Sequence, residues 1–72
     1  MWVVKMSNGR GLVEWYESLS YRVQAADKES ARHFQSEEAA QRTARMCESM
    51  PDAFSEGYWD GKWTLTAVVE PL

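Results

Sequence analysis

Apolar and polar residues alternate along most of this chain, and one stretch changes to the longer period of a helix. The opening run WVVKM is followed by SNGRG and then LVEWY. Asn-Gly between two apolar runs predicts a tight hairpin, because both residues tolerate positive φ. With Asn8 and Gly9 as the turn pair, Val4 faces Val13 and Trp2 faces Trp15. Trp2, Val4, Met6, Val13 and Trp15 then share the core face, with Val3, Lys5, Leu12 and Glu14 on the other. Such cross-strand pairs stabilise by about 0.2–1 kcal/mol each, and a slip of one residue would turn them outward.

The alternation continues through Leu19, Tyr21, Val23 and Ala25, with Glu17 out of step. ESLS reads as a turn before a third antiparallel strand, YRVQA, or as a bend within one long strand. ADKES reads as a polar loop. In FQSEEAAQRTARMCESMP the period becomes helical: Ser36 is placed to cap, and Glu37 and Glu38 occupy the first turn, where the dipole favours anions. Ala39, Thr43, Met46 and Met50, with Ala40, Ala44 and Cys47, form a face of small side chains suited to lying close on a sheet. Pro51 ends the helix.

Beyond PDAFSEG, the stretch YWDGKW gives a second two-residue turn signal at Asp60-Gly61. KWTLTAVV then places Trp63, Leu65, Ala67 and Val69 on one face and Thr64, Thr66 and Val68 on the other. Tyr58 lies across from Trp63 in this reading, which turns Trp59 outward beside Asp60. The expected fold is α+β: one domain over 1–72, with a small antiparallel sheet of three to five strands in β-β-β-α-β order and one helix packed across it.

A chain of 72 residues has a small core that depends on its largest side chains, here four Trp, three Tyr and two Phe. The single Cys47 excludes an internal disulfide, and no apolar run approaches the roughly 18–20 residues that span a bilayer. MWVVKMSNGRG lacks the apolar stretch of a signal peptide. The expected setting is a reducing cytoplasm, away from membranes.

Catalytic and metal chemistry find no foothold in the sequence. One His and one Cys cannot supply a metal site without several carboxylates, and the four glycines form no phosphate-binding loop. No nucleophile-elbow motif surrounds any serine. The expectation is a protein that is not an enzyme and takes no cofactor or metal. His33 reads as a surface residue and Cys47 as a small core residue.

Charge is distributed unevenly. Residues 1–45 have a net charge of +1, whereas 46–72 carry Lys62 against Glu48, Asp52, Glu56, Asp60 and Glu70, a net of −4. Glu48, Asp52, Glu56 and Asp60 recur every four residues, but Pro51 and Gly57 prevent one continuous helix from presenting them as a stripe. With Trp59 they form the candidate partner-binding residues, a ring among carboxylates that suits a basic protein surface. The other reading is solvated acids with Phe54 and one neighbouring ring in the core. Scarce cations disfavour direct nucleic-acid binding, although sheet aromatics could stack single-stranded bases. Self-association through the unpaired edge strand, or through the second face of the last strand, is a third reading.

WVVK, NGRG and ARHFQSEEAAQ together resemble the very short proteins of bacteriophages and prophages, which open on a similar strand and turn and later enter a capped helix. The resemblance implies a host-takeover or counter-defence factor, of which anti-CRISPR proteins are one kind. Such a factor binds and blocks a larger host protein, for example a nucleic-acid-binding protein or complex, in the bacterial cytoplasm. No residue roles are carried over from it.

Overall fold

A computed structural model describes residues 1–9, 11–20, 24–50, 54 and 65–72. Its elements are β1 (Trp2–Ser7), β2 (Val13–Trp15), α1 (Glu37–Ser49) and β3 (Thr66–Pro71). The strands form an antiparallel sheet in the order β2-β1-β3, with α1 packed across one face. This is the expected α+β architecture. The Asp60-Gly61 turn, the start of the last strand before Leu65, and Tyr21, Arg22 and Val23 of YRVQA lie outside the described residues.

β1 is central because it is apolar on both faces. Val4 and Met6 are buried beneath the helix layer, and Val3 is buried on the opposite face with Ala25 and Ala31. A strand covered on both sides reads as a near-continuous hydrophobic run, as WVVKM does. β3 keeps the expected alternation: Leu65, Ala67 and Val69 join the helix-facing core, while Thr66 and Val68 are exposed.

The first hairpin departs from the expected register. Lys5 pairs with Trp15, Met6 with Glu14 and Ser7 with Val13, three residues away from the pairing of Val4 with Val13. Asn8 lies at the strand end and not at the centre of the turn: its N–H donates to Leu12 O at 3.3 Å, and its Oδ1 accepts from Leu12 N–H at 3.2 Å. Between Asn8 and Leu12, Gly9 and Gly11 have φ of 77° and 99°. Such values are natural for glycine and strained for other residues. An odd shift moves every β2 side chain to the other face. Leu12, Glu14 and Tyr16 therefore face the helix layer, whereas Val13 and Trp15 lie on the outer side with Lys5.

The ESLS segment is a turn, since Trp15 and Ala25 exchange backbone hydrogen bonds of 2.8 and 2.9 Å. Buried Gln24 holds it together. Its Oε1 accepts from Glu17 N–H (2.7 Å) and Ser18 N–H (3.2 Å), and its Nε2 donates to Ser18 O (2.9 Å). Further along, Phe34 and Trp2 exchange backbone bonds of 2.8 and 2.9 Å, so the chain lines β1 again where β2 has left it. Ser36 then caps α1, its Oγ accepting from Ala39 N–H at 3.1 Å. Ala40, Ala44 and Cys47 are the buried face. Their small size lets the helix axis approach the sheet closely.

Candidate functional site

Of the five candidate partner-binding residues, Glu48 is described; Asp52, Glu56, Trp59 and Asp60 lie outside the described residues. Glu48 is exposed in the last turn of α1, and its Oε2 accepts from Ala67 N–H of β3 at 3.0 Å. It thus joins helix to strand. Glu70, the last acid of the C-terminal segment, lies 3.2 Å from Lys28 Nζ and 3.9 Å from Lys5 Nζ. Two of the five carboxylates that make residues 46–72 negative are therefore engaged within the chain.

The described aromatic rings divide between the two faces. Tyr16 stacks on Phe34 with centroids 6.2 Å apart and meets Phe54 edge-on at 6.1 Å. Tyr16 and Phe54 are buried in the helix-facing core, and Trp2 and Phe34 pack against it. Phe54 is thereby a core residue.

Trp15 is the described ring on the outer face. It is half-buried, packs on Val3, Ala25 and Ala31, and has Lys5 Nζ 5.8 Å and Lys28 Nζ 5.5 Å from its ring centroid. Cation–π attraction adds about 0.5–1 kcal/mol for each exposed contact. Lys28 also donates to Pro71 O at 3.2 Å, tying the loop after Ala25 to the end of β3. A base stacking on Trp15 would have to displace these ammonium groups. The sequence signal for this cluster was the odd parity shared by Val13 and Trp15, read onto the wrong face.

Nucleophiles and titrating groups have local explanations. Cys47 is buried, and desolvation pushes its thiol up to about 12, so it has no appreciable thiolate at neutral pH. His33 is exposed, with Nε2 3.1 Å from Lys28 O. Burial also raises the Tyr16 phenol above its ordinary value. Glu14 is the unexpected group: the register shift carries its side chain inward, where Oε2 has no hydrogen-bond partner among the described residues, and burial raises its pKa. Among the described residues no cavity opens, no three His, Cys, Asp or Glu side chains converge as metal ligands, and no helix is long and apolar enough to cross a membrane. Comparison of the chain with family models, with curated proteins and with solved structures finds no match in any of the three.

Proposed function

We propose that this chain is a small non-catalytic binding protein that inhibits or modulates a larger host protein. Its contact surface is built from Asp52, Glu56, Trp59 and Asp60, with Glu48 at the border. The observation that supports this reading is the net charge of −4 over residues 46–72 with Trp59 set among its acids. Glu48 accepts from a strand N–H and Glu70 is paired with two lysines. The segment's other acids, Asp52, Glu56 and Asp60, lie outside the described residues; in sequence they are interspersed with Phe54, Tyr58 and Trp59 and accompanied by Lys62.

Carboxylates near an aromatic anchor fit a basic surface, the acids steering encounter and the ring filling a pocket. The partner in this reading is a host protein with such a surface, for example the nucleic-acid groove of a nucleic-acid-binding complex. A phage counter-defence role of the anti-CRISPR kind in the bacterial cytoplasm is the context that the sequence resemblance implies.

Affinity capture from bacterial lysate tests the proposal. Wild type should retain a partner that the Trp59→Ala, Asp60→Lys double variant loses. Equal recovery by both proteins, with unchanged circular dichroism, would remove this surface from consideration.

A further inference from the structure

We propose that Glu48 is a guard that keeps the edge of β3 closed to a second copy of this chain. β3 is an outer strand of the sheet formed by the described residues. Its pairing with β1 fixes which backbone groups face outward. Leu72 N–H donates to Met1 O at 2.9 Å, and Trp2 lies opposite Pro71, Val4 opposite Val69 and Met6 opposite Ala67. Hydrogen-bonded and non-hydrogen-bonded pairs alternate in an antiparallel ladder. Pro71, Val69 and Ala67 therefore direct their backbone polar groups away from β1.

Three features blunt that edge. Pro71 has no N–H to offer, and its carbonyl accepts from Lys28 Nζ at 3.2 Å. Ala67 N–H donates to Glu48 Oε2 at 3.0 Å. Proline and inserted charges are established ways of protecting an edge strand. The position of Glu48 also calls for a local reason. An acid in the last turn of a helix opposes the macrodipole, and this turn has no basic residue to offset it. The Ala67 N–H supplies a compensating donor.

A second copy is the occupant that fits this edge, which no described strand pairs. A two-fold axis beside Val68 would pair Ala67 of each chain with Val69 of the other. It would also set the two Val68 side chains opposite each other as a non-hydrogen-bonded pair, where side chains approach most closely. Val68 is 49% exposed on the outer face, so this pairing would cover an apolar side chain now in water. Glu48 occupies the donor that such a ladder needs first.

Light scattering on the full chain, with circular dichroism to verify folding, tests the guard. Wild type and Glu48→Gln, whose amide oxygen still accepts from Ala67, should remain monomeric. Glu48→Ala should approach twice the monomer mass as concentration rises. Adding Ala67→Pro to Glu48→Ala should restore the monomer. A folded Glu48→Ala protein that stays monomeric would overturn the proposal, as would a dimer that survives Ala67→Pro. Amide exchange in wild type gives a second readout, should the variants fold poorly: Ala67 should exchange at least tenfold more slowly than Val69, and equal rates would also overturn it.

Discussion

The Glu14 carboxylate faces the helix layer with one oxygen lacking a donor among the described residues, because the residues that belong inside, Leu12 and Tyr16, flank it at the same parity. An unsatisfied buried polar group costs about 1–3 kcal/mol, more when charged. Glu14→Leu should therefore raise stability at neutral pH by about 1–3 kcal/mol in urea denaturation. Burial raises the Glu14 pKa, so the folded chain holds this proton more tightly than the unfolded chain. The penalty is full above the raised pKa and fades as pH falls through it toward the ordinary carboxyl value of about 4. The stability gap between Glu14→Leu and wild type should narrow over that interval; a gap that widens would contradict this environment. Cys47 gives a simpler check. Buried and with its thiol pushed up to about 12, it should react with a thiol reagent only after unfolding. Prompt labelling of the native protein would show that it is accessible.

At the level of elements, α1 was legible in its cap, its acidic first turn and the small residues Ala40, Ala44 and Cys47, which depend on local spacing, whereas Met50 of the expected face is exposed. Ser36 caps it as expected, and Ser36→Ala should lower stability by about 1 kcal/mol. The final strand was legible for a related reason: from Leu65 onward only one parity is consistently apolar. The hairpin was half legible. Asn8-Gly9 marked the reversal, but Leu12 and Tyr16 on one parity compete with Val13 and Trp15 on the other, so alternation alone could not select the face. The pair of positive-φ glycines at 9 and 11 accompanies the observed choice. That choice uses both rings, Tyr16 beneath the helix and Trp15 beneath the loop that carries Ala25 and Ala31. Gln24 was not legible, because an amide that satisfies a distant turn has no sequence signature. Its three bonds to residues 17 and 18 predict that Gln24→Ala loses about 1–3 kcal/mol and releases the protected amides of Glu17 and Ser18 to exchange. Unchanged exchange at these two amides would argue against the bracing role.

For the whole molecule, the fold engages two of the C-terminal acids, Glu48 with a strand N–H and Glu70 with two lysines, and Asp52, Glu56 and Asp60 are those proposed to meet a partner. The candidate site was legible as a charge imbalance, but composition does not distinguish a carboxylate that braces a strand from one that faces a partner. Glu48 shows why: its role depends on Ala67, nineteen residues away in sequence. The most direct test compares two neutralised proteins in affinity capture at moderate salt: Glu48→Gln, and Asp52→Asn, Glu56→Gln, Asp60→Asn combined. The account predicts that Glu48→Gln retains the partner within about twofold of wild type, while the triple variant loses it at least tenfold, a difference of about 1.4 kcal/mol or more. Retention by the triple variant together with loss in Glu48→Gln, both proteins being folded, would contradict it.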